Sequence, residues 1–145
     1  MAGRPKEGIE FSGWVADVFE DPKIDKLIDG QGAAGFTIYF YLCQRAFGLH
    51  GYFLPWTCDD AASTARRIGG GVGSKTVQDT VGLCLRIGLF DRMLYEGHGI
   101  LTSRGIQRSF VPALRRRRVK SVIADYWLLD ADESAGLVFI PKNER

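Results

Sequence analysis

Between residues 34 and 47 the apolar positions Phe36, Tyr39, Phe40, Cys43, Ala46 and Phe47 recur at i, i+3, i+4 and i+7, the stripe of an amphipathic helix. Gly48 is its expected stop. Ahead of it, Phe11, Trp14, Val15, Val18 and Phe19 make an apolar-rich stretch ended by Asp21-Pro22, and residues 23–29 read as a short helix closed by Gly30. Residues 51–56 are aromatic and contain Pro55, which suits a short edge strand, with Tyr52, Phe53 and Trp56 outward-facing. Thr57 and Asp60 then have the spacing of a capping box, Thr57 as N-cap, opening a second helix that runs to Ile68. Its inner side is expected to be Ala61, Ala62, Ala65 and Ile68.

Residues 69–73 are a glycine-rich turn, and Ser74 is the expected cap of a third helix over 75–87, ended by Gly88. At 100° per residue, Val77, Val81, Cys84 and Leu85 share one face, while Lys75, Asp79, Gly82 and Arg86 share the opposite one. Leu89-Phe90 and Ile100-Leu101 flank a polar stretch and read as a two-stranded ribbon with a loop between. Thr102 or Ser103 caps a fourth helix from Arg104 to about Lys120, with Ile106, Phe110, Ala113 and Leu114 inward and Pro112 placed to kink it. Helix, short strand, helix, turn, helix, ribbon, helix is the element order of a winged helix-turn-helix, a mainly α fold with a small β-ribbon (α+β). The expected organisation is a flexible arm (1–8), the winged-helix domain (9–120) and an acidic tail (121–145) as a linker or docked extension, with apolar islands at 126–129 and 137–140.

The chain has 145 residues, 46% hydrophobic and 25% charged, the make-up of one globular domain rather than a fibre or a disordered tail. No apolar run approaches the roughly 20 residues that span a bilayer, and the basic start MAGRPKEGIEF lacks the apolar core of a secretory signal. Cys43, Cys58 and Cys84 are odd in number and far apart, and are expected to be buried free thiols. These features predict a cytoplasmic protein with no membrane partner.

Charge changes the picture once it is divided along the chain. Residues 1–30 carry a net −3, residues 31–100 a net +1, and residues 121–145 a net −3. Between the last two lie Arg104, Arg108, Arg115, Arg116, Arg117, Arg118 and Lys120 with no acid among them, a net +7 over 101–120. A segment of that kind meets phosphate well, because each neutralised phosphate releases a condensed counterion.

Catalytic chemistry finds little support. Residues 69–76 (GGGVGSKT) resemble a phosphate-cradling loop, but Ser74 separates the last glycine from Lys75 and the preceding element is helical, where such a loop follows a strand. Asp59 and Asp60 are accounted for by capping, and Asp130, Asp132 and Glu133 have no histidine near them. Neither His50 nor His98 stands at ligand spacing from a cysteine. The expectation is a non-enzymatic chain with no metal and no cofactor.

Several strings resemble the N-terminal domain of phage and mobile-element replisome organisers, a family similar to the DnaD-like primosomal proteins. They are GRPKEG at 3–8, VFEDPKI at 18–24, GF at 35–36, ARRIG at 65–69, RIGLFD at 86–91 and GILTSRGIQ at 99–107, the most specific being GLFD at 88–91 followed by the last. Trp14 and Gly82 depart from that pattern. The resemblance implies a winged helix that binds origin DNA or self-associates, ahead of a part that contacts helicase-loading proteins. The site expected for double-stranded DNA is Lys75, Gln78 and Arg86 on the third helix, Arg92 and His98 on the wing, and Arg104, Arg108 and Arg115, Arg116, Arg117 and Arg118 on backbone phosphates. The alternatives are an oligomerisation or partner-docking module of a primosome, favoured by Tyr52, Phe53 and Trp56, and a transcriptional regulator.

Overall fold

The computed structural model describes residues 7–142, so most of the predicted arm lies outside the described residues. The Asp21 side chain caps the first helix by accepting from Lys23 N at 2.9 Å, and Pro22 occupies the first turn, where its missing N–H costs nothing. This helix, α1, runs Pro22–Leu49. The break expected at Gly30 falls instead at Gly32, whose φ of 68° and ψ of −165° interrupt the helical path. Gly30 stays helical, so the two predicted helices are one kinked element.

α2 (Asp59–Ile68) and α3 (Ser74–Ile87) pack on α1. Ile24, Leu27, Ile38, Leu42 and Cys43 meet Ala61 and Ala65 of α2 and Val77, Val81 and Cys84 of α3 in a common core. Full burial of each aliphatic side chain stabilises by about 1.5 to 3 kcal/mol before entropy is charged against it. Two cap assignments shift by one residue: Cys58, not Thr57, is the N-cap of α2, and Gly73, not Ser74, that of α3. The Asp60 carboxylate still accepts from Thr57 N at 2.7 Å, which is the acid half of the expected box. Ala62 is exposed and Thr64 is buried in its place, because residue 62 stands 100° around from Ala61 whereas Thr64 and Ala65 return to the inner side. The turn between the helices needs its glycines: Gly69, Gly70 and Gly71 all have positive φ, as does Gly88 at the end of α3.

The predicted ribbon is absent. Residues Arg92–His98 form a helix, α4, started by the Asp91 carboxylate accepting from Leu94 N at 2.9 Å and closed by left-handed Gly99. A capping aspartate and a C-terminal glycine enclose enough residues for two turns, and they outweigh the loop reading. Leu89 and Phe90 are buried in the core, and the strand that does pair is β1 (Leu54–Pro55), antiparallel with β2 (Ile100–Leu101).

α5 (Arg104–Arg115) starts at Ser103, whose hydroxyl accepts from Ile106 N, and ends five residues before the expected Lys120. The chain then enters β3 (Ser121–Ile123), which pairs in parallel with β4 (Val138–Ile140). Val122, Ile123 and Tyr126 form a second core with Phe53, Phe110 and Leu114. A buried glutamine fastens it: Gln107 Nε2 donates to Thr102 Oγ1 and Tyr126 O, and its Oε1 accepts from Leu128 N at 2.8 Å. Leaving such groups unpaired inside would cost about 1 to 3 kcal/mol each, so this knot fixes where the last segment lies. Among the described residues the fold is mostly helical with two small sheets, an α+β arrangement. No helix among the described residues is long and apolar enough to cross a membrane.

Candidate nucleic-acid interface

The outer side of α3 carries Lys75, Gln78 and Arg86, all exposed. Lys75 Nζ lies 3.0 Å from Asp79 Oδ2, one turn further along, so the charge at the start of the helix is met on the helix itself. Arg86, at the other end, belongs to a different surface.

That surface is a cleft of about 610 Å³ lined by the ends of α1, α3, α4 and α5. Lys23, Arg86, Arg92, Arg104 and Arg108 surround it. Two carboxylates also line it, and both serve as helix caps: Asp21 to Lys23 N and Asp91 to Leu94 N. Lys23 Nζ donates to Gly88 O at 3.3 Å, and Arg92 Nε is 2.9 Å from Glu96 Oε1. Arg86 and Arg104 make no ion pair among the described residues. Arg104 opens α5 with no acid at its cap or in its first turn and so adds to the positive end of that helix dipole, whereas at the head of α4 the Asp91 carboxylate offsets the dipole beside Arg92. At α5 the arrangement is unfavourable for the helix alone and favourable for an anion in the cleft.

The arginine run does not act as a unit. Arg117 donates to the carbonyls of Glu7 and Gly8, both at 2.5 Å, and its guanidinium lies 5.3 Å from the Phe110 ring centroid. Arg115 Nη2 donates to Glu133 O at 3.0 Å, while Arg108 Nε lies 2.6 Å from Glu133 Oε1. The hydrogen bond and the charge of Glu133 raise the Arg108 pKa above its ordinary value. Arg116 and Arg118 are exposed, with no ion pair among the described residues. His98 is not on a wing: its Nδ1 lies 3.2 Å from Lys142 Nζ and its ring sits edge-on to Tyr126.

Of the residues selected from sequence, Arg86, Arg92, Arg104 and Arg108 therefore come together, whereas Lys75, Gln78, His98 and Arg115 to Arg118 lie elsewhere. Lys23 joins the four without having been foreseen, since nothing local links position 23 to position 86. Two further expectations are corrected. Tyr52, Phe53 and Trp56 are buried, and the exposed large apolar side chains include Phe11, Val15, Phe19 and Phe40, the last beside Trp14. Cys58 is exposed; Cys43 and Cys84 are buried, and burial pushes the Cys43 thiol up to about 12. No group of three or more His, Cys, Asp or Glu placed to hold a metal occurs among the described residues.

Fold and site together define a mostly helical α+β protein whose positive charge gathers where helix ends meet. The chain belongs to the family described as Lin1244/Lin1753-like, N-terminal, which it matches over residues 14–106. It is 31% identical over 137 residues to the uncharacterized phage-related protein Lin1244/Lin1753 of Listeria innocua serovar 6a. That match takes in 94% of this chain and 44% of the relative, so the chain spans less than half of the relative's length. No solved structure matches it.

Proposed function

We propose that this chain is a non-enzymatic DNA-binding module of a phage or mobile-element replication system, holding double-stranded DNA by its phosphate backbone. The observation that carries the reading is the cleft, where Arg86, Arg92, Arg104, Arg108 and Lys23 converge from four helices and both lining carboxylates serve as caps. Phosphate contacts of this kind position a duplex without specifying its sequence, so binding is sequence-tolerant. The pairing of β1 with β2 around α2 and α3 supports a winged-helix relationship of the DnaD-like type, with α4 standing where a wing loop would be. The phage-related name of the relative supports the phage setting, in which a similar fold also serves transcriptional control.

Fluorescence anisotropy with a random 20-base-pair duplex across a salt series tests it. With four or five phosphates neutralised, log affinity falls by about 4 for each unit of log salt. Failure to bind at low salt, or a flat dependence, overturns the reading.

A partner-docking role is the second reading, now resting on Phe19 and Phe40, 62 and 39% exposed, which share ring contacts with Phe36 and lie in one cluster with Trp14. Contiguous exposed apolar surface marks contact sites. Salt-insensitive self-association on a sizing column would favour it.

A further inference from the structure

Arg104, Arg108 and Arg115 fall within about 40° of one another around α5 and span about 16 Å along it, a stripe suited to successive phosphates. The acidic turn after Leu129 covers its lower part. The Glu133 carboxylate accepts from Arg108 Nε at 2.6 Å and Nη2 at 3.4 Å, while the Glu133 carbonyl accepts from Arg115.

The carboxylate contact is not what holds the turn. Asp130 Oδ1 accepts from Glu133 N at 2.9 Å, buried Ser134 donates its hydroxyl to Asp130 O at 2.6 Å, and Trp127 Nε1 donates to Ser134 Oγ at 2.8 Å. Gln107 grips the backbone on both sides of Trp127. The Arg108–Glu133 pair is itself solvent-exposed, and such pairs add little to stability. Its geometry, a carboxylate on a guanidinium fork, is the one a phosphodiester also takes.

We propose that Glu133 stands in for a backbone phosphate, shielding Arg108 so that the acidic turn sets a threshold on DNA binding. The inference rests on the DNA-binding reading above and adds a competitor built into the same chain. A phosphate taking the Nε–Nη2 edge of Arg108 displaces Glu133, so the wild-type protein engages one phosphate fewer in this fork geometry than its stripe allows.

The test is Glu133→Gln in the full chain, titrated with a random 20-base-pair duplex across a salt series beside the wild type. Affinity at low salt rises about three- to tenfold and the log–log slope steepens by about 1, the signature of one added phosphate. Arg108→Gln combined with Glu133→Gln abolishes the gain. Asp132→Asn, which removes a neighbouring exposed charge, leaves the slope unchanged, and melting curves of all variants stay near the parent's because the anchors of the turn remain. Wild-type binding with an unchanged slope in Glu133→Gln, or an equal effect of Asp132→Asn, overturns the shield alone. Absence of binding by both proteins removes the DNA-binding reading and the shield with it.

Discussion

The outer side of α3 and the cleft at its far end both carry cations, and they differ in what surrounds them. On α3, Lys75 has Asp79 one turn away, as helical periodicity arranges for charges on a single element. In the cleft, Arg92 is paired in the same way with Glu96 and Arg108 is paired with Glu133, but Lys23, Arg86 and Arg104 converge there without an ion pair among the described residues, and the nearby acids Asp21 and Asp91 are engaged by backbone N–H groups. Local pairing neutralises charge along one helix; convergence of termini concentrates it. The helix that sequence order nominates as the groove reader thus contributes chiefly its inner side, and charge is delivered by ends.

The largest expected effect tests that inner side. Val81, 4% exposed in the α1–α3 core, cannot hold an unpaired carboxylate without a penalty of several kcal/mol, so Val81→Asp unfolds the protein. Circular dichroism checks this, and cooperative melting near the parent temperature would mean that α3 is not a structural helix in this phase. Next comes the cleft: replacing Arg86 and Arg104 together by Ala lowers DNA affinity about 10- to 100-fold and makes the salt slope shallower by about 2, read by anisotropy. An unaltered slope would erase the difference between the two surfaces.

Arg117 separates structural from binding arginines. Its two carbonyl contacts and its position over Phe110 give Arg117→Ala a cost of about 1 to 3 kcal/mol in urea unfolding, whereas Arg116→Ala and Arg118→Ala stay within about 0.5 kcal/mol. Replacing all four arginines therefore costs stability, contrary to what four outward-pointing side chains would imply.

The α1–α3 core also carries a pH dependence. Burial raises the Cys43 thiol pKa to about 12 in the folded chain, while the unfolded thiol ionises near about 8.5. The native state then binds more protons than the unfolded one, so the contribution is complete below about pH 8.5 and is lost as pH rises towards 12. Urea midpoints falling across that window check it, and Cys43→Ala lessens the fall while Cys84, whose thiol is also pushed up by burial, keeps part of it. The smallest effect belongs to Lys75: Lys75→Ala changes affinity less than about twofold on any duplex, since the charge removed was already paired. A change in preference between sequences would restore α3 as the reader and reverse the comparison.

The sequence by itself determined the helices whose signals are local. Periodic apolar residues gave α3 its inner face, and Gly88 closes it in the left-handed conformation expected. The same short-range rules put Thr102 or Ser103 at the head of α5, and Ser103 takes that place. The α4 signals, Asp91 and Gly99, were present as well, but a ribbon template outcompeted them. What only the tertiary structure decided involves partners distant in the chain. β1 pairs with β2 across 44 intervening residues, Gln107 binds the segment that follows β3, and Arg117 reaches back to Gly8. The site divides the same way. Charge density over 101–120 was legible in the residues, but which cations share a cleft, and which are already spent on Glu133 or on a carbonyl, depends on where helix ends meet. Helix ends meet where side-chain packing brings them, and no spacing along the chain records that.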